Sequence, residues 1–121
     1  MMMVFLILMI FGSKKVSSID VLKYYSDKQV LEHYEEATGM VGLWESEKVV
    51  FQRSIQNKCA QLLEIGCGTG RISFGLSQLG YAKITATDFS KKMIIRAKEL
   101  NEKYKTKIDF QKQDATALTF E

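Results

Sequence analysis

The chain predicts an α/β fold: a parallel, doubly wound sheet, incomplete at β-α-β-α-β and preceded by N-terminal helices. Three observations predict it. Strand-like apolar runs alternate with helix-period runs from residue 59 onward, the pattern of parallel strands joined by crossover helices. A glycine turn, Gly66-Cys67-Gly68-Thr69-Gly70, joins the first of those strands to the first of those helices. The next two strands each run into an acid, Asp88 and Asp114.

The elements follow in order. Residues 1–16 form an apolar leader, expected to be a disordered stretch or a misassigned start. Its apolar run, Met1 to Phe11, is too short for a membrane-spanning helix, which needs about 20 residues. Weak membrane contact through residues 1–11, or packing on the domain, are the other readings. Lys14-Lys15 after the run favours a cytoplasmic domain. Residues 17–58 read as a helical cap. Ser17 to Asp20 fits a capping box, with Val21, Leu22 and Tyr25 on one helical face. Ser26 to Gln29 marks a second start, carrying Val30, Leu31 and Tyr34 and stopping near Gly39. Trp44, Phe51 and Ile55 recur at helical spacing and predict a third helix from Trp44 to Gln56.

Residues 59–121 form the alternating domain. Strands are expected at Gln61–Ile65, Lys83–Thr87 and Lys107–Gln111. A helix starts near Gly70 and ends by Gly80. Ser90 caps another, whose Met93, Ile94, Ala97 and Leu100 form one apolar stripe. The chain then ends at Glu121, where a doubly wound domain would continue. The expectation is a fragment or an unusually small version. Gln61–Ile65 would then be an edge strand, open to self-association, although Leu62-Leu63 reads as a buried central strand.

The glycine turn carries the chemistry. Glycine permits positive φ and lets a ligand approach bare backbone. The dinucleotide fingerprint is G-x-G-x-x-G, and its third glycine position is here Arg71, with Gly70 one residue early. With Glu64 just before it, the turn instead resembles motif I of the class I S-adenosylmethionine-dependent methyltransferases. Ile84-Thr85-Ala86-Thr87-Asp88-Phe89-Ser90 and Phe110-Gln111-Lys112-Gln113-Asp114-Ala115 match later motifs in the same order. The resemblance covers roughly Leu62 to Glu121.

That resemblance implies a Rossmann-like fold, S-adenosylmethionine as cofactor, and methyl transfer to an acceptor. Gly66, Cys67, Gly68 and Gly70 would wrap the methionine end of the ligand, with Cys67 contributing backbone. Glu64 would orient the amino group, and Asp88 would accept from the ribose hydroxyls. Phe89 and Met93 would meet the adenine, although core packing explains Met93 as well. Asp114 would accept from the adenine amine beside the Ala115 backbone, or be a surface turn acid. Catalytic residues on the acceptor side are not assigned. Family members carry those in later strands and in a helical cap, where Tyr25, Tyr34 and Trp44 would sit.

Two other functions stay open: an NAD-type oxidoreductase, against which Arg71 counts, and a non-catalytic cofactor-binding module. The net charge of +3 carries no strong nucleic-acid signal, so a small-molecule acceptor is favoured. Cys59 and Cys67 lack metal or disulfide spacing, and no metal is expected. His33, the single histidine, lies among Glu32, Glu35 and Glu36 and reads as a solvated helix residue.

Overall fold

The computed structural model describes residues 3–6, 17–24, 26–40 and 42–120. Its order is β1 (Met3–Leu6), α1 (Ser18–Tyr24), α2 (Lys28–Met40), α3 (Glu45–Ser54), β2 (Gln61–Ile65), α4 (Arg71–Gln78), β3 (Lys83–Asp88), α5 (Lys91–Lys103) and β4 (Asp109–Lys112). The four strands lie side by side in chain order, every pair parallel. The Rossmann-like α/β alternation expected from residue 59 onward is present, with β2 and β3 starting at the expected residues. Strand β4 sits slightly later than expected, because Asn101 and Thr106 shape the approach to it. The Asn101 side chain donates to Ile108 O at 3.0 Å and accepts from the Thr106 hydroxyl at 2.5 Å.

One expectation is corrected at the sheet edge. Strand β2 is not an edge, because β1, from within the apolar leader, pairs with it from Met3↔Leu62 to Leu6↔Ile65. That pairing also covers the edge on which self-association was placed. Residues 1–2 and 7–16 of the leader lie outside the described residues, as do Tyr25 and Glu121.

The core occupies one face of the sheet. Alternation puts Leu62, Ile84, Ala86 and Phe110 on that face, in register across three strands. They pack with Phe51 of α3, Phe74 and Leu76 of α4, and Ile94, Ala97 and Leu100 of α5. The expected stripe on α5 is thereby buried, Met93 included. Tyr81 anchors the end of α3, its hydroxyl donating to Phe51 O at 3.2 Å and Ile55 O at 2.7 Å.

The helix ends show what the periodicity missed. The Ser17–Asp20 box forms, with Ser17 N donating to the Asp20 carboxylate at 3.1 Å and Asp20 N to Ser17 Oγ at 3.2 Å. The second cap falls on Asp27 rather than Ser26, because its carboxylate accepts from Gln29 N at 2.8 Å. Helix α2 runs through Gly39, and the left-handed turn falls at Gly42, φ +55°. Trp44 does not join Phe51 and Ile55 in the core. It is the extended N-cap of α3, with its side chain 60% exposed. Leu22, expected to share one helical face with Val21 and Tyr25, is exposed, as are Ile19 and Tyr24.

Candidate functional site

The parallel order brings the carboxyl ends of β2, β3 and β4 to one edge of the sheet, where open α/β sheets bind ligands. The glycine loop leaves β2 there, and its backbone is pinned from beneath. Gly66 N and Cys67 N both donate to Thr87 O, at 2.8 and 2.9 Å. Gly68 N donates to the Asp88 carboxylate at 2.8 Å, and Gly70 N donates to Cys67 O at 2.9 Å. These four amides are therefore satisfied within the protein. All three glycines have positive φ, but they answer different needs. A Cβ on Gly66 would meet nothing within 4 Å, so its backbone faces open space. A Cβ on Gly70 would lie 2.9 Å from the Phe110 and Phe74 rings. Gly66 thus leaves room for a ligand, whereas Gly70 lets α4 close onto β4.

Two acids flank this loop. Glu64 is buried at the end of β2, and the Ser73 hydroxyl donates to its carboxylate. Desolvation pushes the Glu64 carboxyl up to about 7, opposed by the Ser73 hydrogen bond and the Arg71 charge. Asp88 ends β3. Burial raises its carboxyl too, against hydrogen bonds from Ser90 N at 2.8 Å and from Gly68 N. Cys67 is buried between the two acids. Desolvation first, then the neighbouring carboxylates, drives its thiol well above the usual range, so it is no activated nucleophile.

The residues expected on the adenine side are less closely joined. Phe89 is half-buried, with Lys112 Nζ 5.4 Å from its ring centre. Met93 is 0% exposed, and its backbone N donates to Ser90 Oγ, so the side chain belongs to the interior. Gln113 N donates to Asp88 O at 3.0 Å, which lays the end of β4 beside that of β3. Beyond it, Asp114 and Ala115 are exposed. Asp114 folds back on its own turn. The Thr116 hydroxyl and amide hold its carboxyl below the usual range, at 2.6 and 2.9 Å from Oδ1. The structure therefore joins Glu64, the loop and Asp88 directly, sets Phe89 and Asp114 along the same edge, and places Met93 beneath it.

Sequence reasoning used Arg71 only as the residue standing in place of the third fingerprint glycine. Its guanidinium instead forks onto Glu47, at 2.8 and 2.9 Å, and donates to Gly42 O at 2.7 Å. The signal was present in the sequence. A cation at a helix N-terminus opposes the helix dipole, and Arg71 is the first residue of α4. Among the described residues, no three His, Cys, Asp or Glu gather into a metal-binding group, and no helix is long and apolar enough to cross a membrane.

A glycine turn with an acid at each side, at the carboxyl ends of parallel strands, defines a Rossmann-like domain. Residues 62–121 match the family described as "Methyltransferase domain", and the chain belongs to that family. The chain is 35% identical over 60 residues to the "eEF1A lysine and N-terminal methyltransferase homolog" of Drosophila melanogaster. That match takes in 50% of this chain and 9% of the relative. The fold is similar to the crystal structure of PH0226 protein from Pyrococcus horikoshii OT3, with a TM-score of 0.56 and 21% identity. That likeness covers 79% of this chain and 40% of the other.

Proposed function

We propose that the chain is a class I methyltransferase domain that takes S-adenosylmethionine at the Gly66–Gly70 loop. One observation carries the reading: the loop is flanked by acids, and four of its five amides already donate within the protein. Gly66, Cys67, Gly68 and Gly70 donate their N–H groups inward, and Glu64 and Asp88 stand beside them. A pyrophosphate requires free donors and repels carboxylates. An ammonium and a ribose diol require acceptors, which this edge supplies. The residues therefore fit S-adenosylmethionine better than NAD.

In this reading Glu64 faces the ligand's ammonium, and exposed Gly66 gives the close backbone approach. Asp88 keeps acceptor capacity for the ribose hydroxyls while holding Gly68 N and Ser90 N. Phe89 offers an apolar ring edge, and Asp114 Oδ2 an acceptor for the adenine amine. The cofactor supplies an activated methyl group on a cationic sulfur. The protein's contribution is to orient the donor and exclude water.

For the acceptor we keep a small molecule, in line with the modest net charge of +3, and a cytoplasmic setting. The Drosophila relative's name favours a second reading, a lysine or N-terminal amine of a protein. Titration calorimetry with S-adenosylmethionine and with NAD tests the cofactor: tighter NAD binding overturns the reading. Methyl-labelled cofactor, incubated with separate protein and small-molecule fractions, decides the acceptor class.

A further inference from the structure

We infer that Arg71 is a positioning residue: through its clasp on Glu47 and Gly42 it couples the seating of the helical cap to ligand binding at the glycine loop. The inference rests on the proposed cofactor site and goes beyond it, since the clasp lies outside the residues assigned to the ligand.

The clasp joins the end of the glycine loop to the helical cap. Arg71 directly follows Gly70, so its backbone closes the loop and opens α4. Its partners are Gly42, in the turn between α2 and α3, and Glu47, in the first turn of α3. Glu47 holds three groups at once: both guanidinium nitrogens, and Trp44 N at 2.8 Å. The same Arg71 fork thus fixes the N-terminus of α3 and, through Gly42 O, the turn before it. Arginine suits this place because its planar fork meets a carboxylate with two bonds, where lysine makes one. The carboxylate of Glu47 is drawn below its usual range first by that Arg71 hydrogen bond, so the pair stays ionised.

A second contact fixes the same turn independently. Leu43 is buried on α4 at Gly75, where an added Cβ would lie 2.3 Å from Leu43 Cγ. Leu43 therefore locks the turn one helical step below the clasp. Between these anchors Trp44, the single tryptophan, stands 60% exposed with the Arg71 guanidinium 5.4 Å from its ring centre. Lys92 Nζ, donating to Ser26 O at 3.1 Å, ties the α1–α2 turn to the start of α5. The cap is thus fastened at the N-termini of both helices that follow the binding loops. The clasp thereby links the seating of Trp44 and the cap to the conformation of the loop.

The test reads both ends of the clasp in the whole chain. S-adenosylmethionine is titrated by calorimetry, and the emission of Trp44 is followed along the same titration. Wild type should show heat and a Trp44 spectral shift that saturate together. Arg71→Gln and Glu47→Gln should each weaken binding about tenfold or more and abolish the Trp44 shift. Their double variant should be no weaker than either single one, as expected for one shared interaction. Arg71→Lys keeps the charge beside Glu64 and loses the fork, so it should recover only part of the affinity. Melting temperature is recorded for each variant. Wild-type affinity in Arg71→Gln, full recovery in Arg71→Lys, or affinity losses that merely follow the fall in melting temperature would overturn the inference. Absence of heat with the wild type would overturn the cofactor reading, and this inference with it.

Discussion

The two ends of the candidate site are built to different standards. At the β2–β3 end, Glu64 is buried and held by the Ser73 hydroxyl, and half-buried Asp88 is bonded to Gly68 of the loop. At the β4 end, Asp114 and Ala115 are exposed, and the Asp114 carboxylate is held by Thr116 of its own turn. The first end adjoins the core, so in the proposed reading its residues would serve stability and binding together. The second end borders solvent, so its residues would serve binding with little structural consequence. Substitutions ordered along this gradient test whether the contrast is real.

The largest effect is expected at Gly70. An alanine there must hold φ near +100° and place its Cβ against the Phe110 and Phe74 rings. Left-handed strain and overpacking together cost about 3 kcal/mol or more. Thermal unfolding of Gly70→Ala should begin roughly 10–20 °C lower than in wild type. Gly66→Ala carries the strain alone, since its Cβ enters open space. It should melt within a few degrees of wild type and lose most affinity for S-adenosylmethionine. Equal destabilisation by the two alanines would erase the distinction between a packing glycine and a ligand-facing one.

Glu64 comes next, because its carboxyl is pushed up to about 7 from 4.5. A carboxyl raised in the folded state binds its proton more tightly there than in the unfolded chain. Its favourable contribution is therefore present at low pH and lost as pH rises from 4.5 through about 7. Glu64→Gln removes that loss while keeping an acceptor for the Ser73 hydroxyl. The variant should match wild type near pH 4.5 and exceed it above pH 7 by an amount on the order of a few kcal/mol. Its affinity for S-adenosylmethionine should fall, since the ammonium loses its charge partner. Denaturant unfolding across pH, with a variant that keeps the wild-type slope, would refute the assignment.

The same contrast explains what could be read from the sequence. Glu64, the glycine turn, Asp88 and the Ser90 cap lie within a few residues of the turns they shape, so local pattern reveals them. The pairing of β1 with β2 joins Met3 to Leu62, and parallel pairing leaves no local turn signal. The Arg71–Glu47 clasp spans two helices for the same reason. Trp44 fits the helical period of Phe51 and Ile55 but sits just outside the helix, where period no longer governs burial. Asp27 displaced Ser26 as a cap because neighbouring residues of similar capping strength differ only in backbone geometry.

Asp88 lies between the two extremes. Its two oxygens serve two different amides, Oδ2 for Gly68 N and Oδ1 for Ser90 N. Asparagine has one acceptor oxygen, so Asp88→Asn turns an NH2 group toward one of these donors. The cost is about 1–3 kcal/mol, and the loop loses one of its pins. Affinity for S-adenosylmethionine should drop along with melting temperature. A variant that binds poorly at unchanged stability would show that Asp88 belongs with the exposed end of the site.

Asp114→Asn should produce the smallest change. The side chain is exposed, and asparagine can still accept from Thr116 N through its remaining oxygen. Stability should stay within about 0.5 kcal/mol of wild type, as for most surface substitutions. What changes is the face presented to the ligand, where an acceptor for the adenine amine becomes an NH2 donor. Calorimetry should then show about a tenfold loss for S-adenosylmethionine, equivalent to about 1.4 kcal/mol. The loss should be smaller with a ligand carrying oxygen in place of that amine, such as S-inosylhomocysteine compared with S-adenosylhomocysteine. An equal loss for both would remove Asp114 from the adenine edge and leave Glu64, the glycine loop and Asp88 as the whole of the recognition surface.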